Sequence, residues 1–142
     1  MESPKYELAG QRILSVVVVT PETTALETPA QFVALPLYDG EIGIAPGRAP
    51  LIGRLGYGEM RIVEGNETRR YYVDGGFVEM SGNTLTVLTH RAVPADQLDA
   101  EAAQQQLDEA LRRPANSQEL LAVRDRLILQ ARAQIRTARR AG

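Results

Sequence analysis

The apolar positions of this chain follow one rhythm up to about residue 93 and another beyond it. In the first part they come in short runs broken by turn signals. "RILSVVVVT" (12–20) is β-branched and continuously apolar, as a buried strand should be, and "AQFVALPLY" (30–38) is a second such run. "GEMRIVEGNETRRYYVDGG" (58–76) alternates polar and apolar around Gly65-Asn66, a hairpin signal. "GFVEMSGNTLTVLT" (76–89) repeats the device around Gly82-Asn83, with Leu85 and Val87 on one face of the second arm and Thr84 and Thr86 on the other. Between these runs lies "GEIGIAPGRAPLI" (40–52), with three glycines and two prolines. It is too glycine-rich for a helix, too broken for a long strand and too apolar for a floppy linker, and so reads as a stiff, sharply turned loop. Many short strands with regular turns predict an antiparallel β-sandwich or flattened barrel over residues 12–93.

After Pro94 the period lengthens. Asp96 is the expected N-cap of a helix running to about Arg113, with Ala103, Leu107, Ala110 and Leu111 at helical spacing. Pro114 ends it, and Asn116 followed by Glu119 resembles a capping box that starts a second helix. Leu120, Val123, Leu127, Ala131, Ile135 and Ala138 then make one stripe, and Arg124, Arg132, Arg136 and Arg139 are assigned to the opposite face. The expected architecture is thus β + α: a short extension over residues 1–11, a sandwich over 12–93 and an antiparallel two-helix hairpin over 94–142.

Composition narrows the chemistry. With 142 residues, one domain of ordinary size with a substantial core is possible. There is no cysteine, so no disulfide can form, and a single histidine, His90, cannot make a zinc site of the usual His/Cys kind. His90 reads as a half-exposed residue at a strand end. Lys5 is the only lysine and no G-x-x-x-x-G-K-[ST] stretch occurs, which excludes a Walker-type phosphate cradle. A net charge of −2 argues against a nucleic-acid-coating protein. No apolar run approaches the roughly 20 residues needed to cross a bilayer, and residues 1–11 lack the order of a secretory signal. The charge is unevenly spread: Ser117 to Arg140 holds six arginines against Glu119 and Asp125. An arginine face suits an acidic partner, since its forks pair with carboxylates. Carboxylates are plentiful, but nothing singles out a catalytic pair, and no catalytic residue, metal or cofactor is expected.

"DGEIGIAPGRAPLIGRLGYGEMRI" (39–62) closely resembles a segment of the epsilon subunit of F-type ATP synthases. "YYVDGGFVEMSGNTLTVLTHRA" (71–92) and "LSVVVVTPE" (14–22) resemble two more segments of that family, in the same order. The resemblance implies a sandwich-plus-hairpin fold and a non-catalytic place in the central rotor stalk, coupling proton-driven rotation of the c-ring to the gamma subunit. It implies contacts with gamma and the c-ring around Glu41, Ile42, Gly43 and Arg48, the last standing where the family commonly has histidine. It implies that the extended hairpin inhibits ATP hydrolysis, and from the charge of the tail Arg124, Arg132, Arg136 and Arg139 are expected to make that contact with the alpha and beta catalytic subunits. It places the protein peripherally on the cytoplasmic face of the bacterial plasma membrane, with no inserted segment. Some members bind ATP through an I/L-D-x-x-R-A segment. Here Leu98-Asp99-Ala100-Glu101-Ala102-Ala103 keeps Asp99 but has Ala102 in place of the arginine, so ATP binding is expected to be weak or absent. The rival readings are a stand-alone ligand-binding sandwich with a helical lid and a small hydrolase using paired carboxylates.

Overall fold

A computed structural model describes residues 7–8 and 11–141. The strands are β1 (Glu7–Leu8), β2 (Gln11–Arg12), β3 (Leu14–Val19), β4 (Thr24–Ala30), β5 (Phe32–Leu37), β6 (Gly40–Ile44), β7 (Leu51–Glu64), β8 (Glu67–Ser81), β9 (Thr84–Thr89) and β10 (Ala92–Pro94). Among the described residues β1 and β2 pair only with each other, within and just after the stretch read from sequence as a loose extension. The remaining strands form one open sheet in the order β4-β3-β9-β8-β7-β5-β6, with β10 added beside β8. All neighbours are antiparallel except β3 and β9, which run parallel.

The sheet becomes a sandwich because its two longest strands bend. In β7 the inward positions are Leu51 and Leu55 in one half and Met60 and Ile62 in the other, so they change from odd to even numbers. β8 changes phase in the same way, from Tyr71 and Val73 to Val78 and Met80. The change falls at Gly56 in β7 and at Gly75-Gly76, which β7 and β8 bring alongside one another. Gly76 has φ +122°, and a Cβ there would lie 1.8 Å from the Leu88 carbonyl oxygen, so only glycine fits. Beyond the bend, each half-strand faces the same apolar core from the opposite side. That core joins Leu14, Val16 and Val18 to Val33, Leu35, Ile44, Val78, Met80, Leu85 and Val87, all essentially without solvent exposure.

Both glycine-asparagine hairpins form as expected. Within the sandwich, β4 and β6 were not expected. β4 contains Pro29 and half-exposed polar positions, which an edge strand tolerates and a central one does not. β6 arises inside the expected loop: Gly40 to Ile44 pairs with β5 over its whole length, and only residues 45–50 turn.

The helical region starts later than expected. Ala92–Pro94 still pairs with β8, and Asp96 falls in a short 3-10 turn, Ala95–Gln97. The first helix, α1 (Ala100–Leu111), is capped instead by Asp99, whose carboxylate accepts from the Ala102 N–H at 3.1 Å. The second, α2 (Gln118–Ala141), is capped by Ser117, whose hydroxyl accepts from the Leu120 N–H at 3.1 Å, and not by Asn116. The expected helical hairpin is present. α1 rests on α2, while the C-terminal half of α2 lies on β7 and β8.

Candidate functional site

Residues 45–50 form a turn at the sandwich surface. Gly47 has φ +87°, a value that favours glycine, and its N–H donates to Asn83 Oδ1 at 2.8 Å. Asn83 is buried, and its carbonyl accepts from the Ser15 N–H at 2.8 Å. The loop is therefore tied to the β8–β9 turn and to the start of β3. Arg48 is exposed at its tip.

The four residues expected to act together here do not share one spot. Ile42 is half-buried against the core, and Gly43 accommodates the Phe32 ring, which leaves no room for a Cβ. Glu41 lies opposite Pro36 at the other end of β6, roughly 10 Å of extended strand before Ile44. Its carboxylate accepts from both terminal nitrogens of Arg61, at 3.1 and 3.5 Å. Arg61 also approaches Glu59 at 3.5 Å, and Arg70 pairs with Glu59 at 2.8 Å. Burial opposes the charge on Arg61, but hydrogen bonds and attraction from Glu41 and Glu59 outweigh it and hold its pKa above the ordinary value.

Glu41 and Glu59 face the seam where α2 meets the sheet. Gln130, Ala133, Gln134 and Thr137 of α2 turn toward this seam or toward the helix's own backbone, and the last three are buried. Asp74 Oδ1 accepts from Tyr72 Oη at 2.7 Å and from Gln130 Nε2 at 3.1 Å, linking sheet and helix directly. Burial, the hydrogen bond to Asp74 and the charge of Asp74 push the Tyr72 phenol far above its ordinary pKa, so it remains a donor. Beside this link is a cavity of about 140 Å³, lined among others by Glu41, Glu59, Thr137, Arg136 and Arg140. The Glu59 side chain is 5% exposed, and its Oε2 has no hydrogen-bond partner among the described residues.

Arg132, Arg136 and Arg139 are exposed, as assigned from sequence. Arg124 is not on their face. It is half-buried and its Nε is shielded from solvent, because it stands four residues after Leu120 and four before Ile128, on the apolar stripe itself. Asp99 is at the start of α1, where its carboxylate is occupied as the cap, and Ala102 supplies no cation beside it.

One surface escaped the sequence reading. Phe77 is 60% exposed, Leu88 47%, Ile52 76% and Tyr38 64%. Phe77 lies directly between Arg54 on β7 and Leu88 on β9 in the register, and the Arg54 guanidinium sits 4.2 Å above the Tyr38 ring. These side chains form one patch on the outside of the half-sheet that does not carry the hairpin. The signal was present as the apolar doublets Phe77-Val78 and Val87-Leu88, in strands where alternation buries only one of each pair.

The profile of the ATP synthase delta/epsilon chain β-sandwich domain matches residues 13–95. The ATP synthase epsilon chain of Rhodopirellula baltica is 48% identical over 123 residues, covering 87% of this chain and 96% of that one. That of Bordetella avium is 39% identical over 131 residues, covering 89% and 92%. Two solved assemblies show the same fold at low identity. One is the Euglena gracilis mitochondrial ATP synthase OSCP/F1/c-ring structure, with TM-score 0.75, 18% identity and coverage of 99% of this chain and 89% of that one. The other is the Tetrahymena thermophila mitochondrial ATP synthase central stalk and c-ring, with TM-score 0.71, 13% identity and coverage of 88% and 96%. A sandwich profile matched over more than half of the chain, and a relative nearly half identical along almost its whole length, establish that the chain belongs to the ATP synthase epsilon-chain family.

Proposed function

We propose that this protein is a non-catalytic rotor subunit of an F-type ATP synthase, joining the gamma subunit to the c-ring and carrying a hairpin that restrains ATP hydrolysis. The observation that carries the docking part is the row Tyr38, Arg54, Phe77 and Leu88. A contiguous exposed apolar patch with an arginine among aromatic rings is what a permanent protein interface needs. It is assigned to gamma. The loop around Arg48, anchored by Asn83, is assigned to the polar loops of the c-ring. Replacing Phe77 and Leu88 with aspartate places charges in the patch without touching the core, and should abolish co-purification with gamma while the far-UV spectrum and melt stay normal. Unchanged co-purification would overturn the assignment.

The hairpin reading rests on the exposed Arg132, Arg136 and Arg139, which remain available to acidic residues of the alpha and beta subunits. Exposed ion pairs contribute about 0–1 kcal/mol each, so a few of them bias the hairpin's position without locking it. Deleting residues 114–142 should raise ATP hydrolysis by the purified complex and largely spare synthesis. An unchanged hydrolysis rate at low salt would refute the brake. ATP itself should bind the isolated chain weakly or not at all, since Asp99 is engaged as a cap and no arginine stands at position 102. Calorimetry showing micromolar binding would refute that.

Among the described residues no helix is long and apolar enough to cross a membrane. The protein would reach the membrane through its assembly, on the cytoplasmic face of the bacterial plasma membrane.

A further inference from the structure

Two residues that the sequence assigns to different partners meet in one place. Glu41, expected at the ring contact, and Arg136, expected at the catalytic subunits, line the same cavity of about 140 Å³ between β6–β7 and α2. We propose that Glu41 is shared between the two halves of the molecule. Its charge helps to hold α2 against the sheet, so a cationic group that engages Glu41 loosens the hairpin. The coupling itself is a property of this chain alone; its use by a rotor partner rests on the proposed ring contact extending along β6 to Glu41.

The charges around the seam explain the direction. Glu41, Glu59 and Asp74 are its carboxylates, and Arg61, Arg70, Arg136 and Arg140 are its cations. Arg61 and Arg70 belong to the sheet and stay there whatever the hairpin does. Arg136 and Arg140 arrive with α2, and neither makes a direct ion pair with Glu41 or Glu59 among the described residues. They share the cavity with Glu41 and Glu59, so the attraction proposed here acts across it and not through a fixed bond. Glu59 is buried, with Arg61 and Arg70 beside it. Glu41 is half-exposed, at 51% of its side chain, and is the carboxylate of this cavity that a partner can reach. When its charge is taken, Arg61 loses its bidentate partner and the seam keeps Glu59 and Asp74 against four guanidinium groups. Repulsion on Arg136 and Arg140 then rises. By linkage the effect is reciprocal: a released hairpin leaves Glu41 more available to a cation.

The chain has no cysteine, so two introduced ones are the only labelling sites. Spin labels at Asn116, in the turn between α1 and α2, and at Glu67, at the start of β8, report docked and undocked hairpin as two distance populations in the full isolated chain. Glu41→Gln and Arg136→Gln should each raise the undocked-to-docked ratio by about two- to fivefold, the range of exposed charge pairs. The double variant should rise by clearly less than the product of the two, because each change removes the same interaction. Both positions are exposed at the surface, so the variants should fold; Glu41→Asp, which keeps the charge, should stay near the unmodified ratio. A double variant equal to the product, or a Glu41→Asp as perturbed as Glu41→Gln, would overturn the proposal. Unchanged ring binding by Glu41→Gln in the assembled complex, with this cycle intact, would instead count against the docking assignment alone.

Discussion

Asn83→Ala should loosen the loop that carries Arg48 while leaving the sandwich folded. The asparagine does two things. Its backbone carbonyl accepts from Ser15 N–H, which the substitution preserves, and its side-chain oxygen accepts from Gly47 N–H at 2.8 Å, which the substitution removes. A single neutral hydrogen bond contributes about 0.5–1.5 kcal/mol. Gly47 is exposed, so water can replace the lost acceptor. The expected cost is therefore about 1 kcal/mol, or a fall in Tm of about 3 °C. The local effect should be larger in proportion: amide exchange at Gly47 should speed up about fivefold, the factor that corresponds to 1 kcal/mol, while core amides such as Val16 and Val87 follow only the global change. Asn83→Asp keeps an acceptor and should restore slow exchange. Binding to the c-ring in a reconstituted complex should weaken in Asn83→Ala and recover in Asn83→Asp. An unchanged Gly47 exchange rate alongside a lower Tm would show that the loop is held by something other than this bond.

Gly76→Ala combines φ +122° with a Cβ placed 1.8 Å from the Leu88 carbonyl oxygen, and should cost more than about 4 kcal/mol, seen as loss of a cooperative melt. Gly65→Ala, with φ +61° and open space around it, should cost only about 1 kcal/mol by the same measurement. Tyr72→Phe removes a donor to a carboxylate and should lower stability by about 1.5–3 kcal/mol at neutral pH, measured by urea unfolding. The raised Tyr72 pKa also fixes the sign at alkaline pH. The unfolded chain releases this proton near pH 10 and the folded chain keeps it, so stability is full below that pH and should fall above it by up to about 1.4 kcal/mol per pH unit, a component that Tyr72→Phe should lack. Asp99→Ala should cost about 1 kcal/mol through its cap, visible as earlier melting of helical signal, with no change in any nucleotide titration.

The parts of the fold that local chemistry dictates were readable in the sequence. Gly65-Asn66 and Gly82-Asn83 demand tight turns, and the 3.6-residue spacing after Pro94 demands helices. β4 and β6 were not readable, because an edge strand takes its hydrogen bonds on one side and needs little apolar pattern; Pro29 and Gly43 would each argue against a central strand. The helix starts were displaced because Asp96, Asp99, Asn116 and Ser117 are all acceptable caps, and only the pairing of Ala92–Pro94 with β8 and the observed bonds choose among them. The site divides the same way. Exposure of Arg132, Arg136 and Arg139 follows from helical spacing, whereas the meeting of Glu41 with Arg136 depends on how α2 crosses the sheet. The patch at Phe77 and Leu88 depends on which member of each apolar doublet the bend turns outward.

The bend at Gly56 and Gly75-Gly76 also has a mechanical meaning. In many sandwiches the two layers are held together mainly by side-chain packing, which can shear when one layer is pushed against the other. Here the chain of β7 and β8 runs from one layer into the other, the two strands paired from Leu51↔Met80 to Glu64↔Glu67 except at Gly56 and Gly75 in the bend. Lateral load applied at the Arg48 loop, next to the Leu51 end, passes into covalent backbone and the paired strands before it reaches the far layer. To slip, the layers would have to stretch two strands or break that pairing beside the bend. The domain is thus built as a single folded plate, stiff against shear between its two layers, with the hairpin resting on the outer face of one of them.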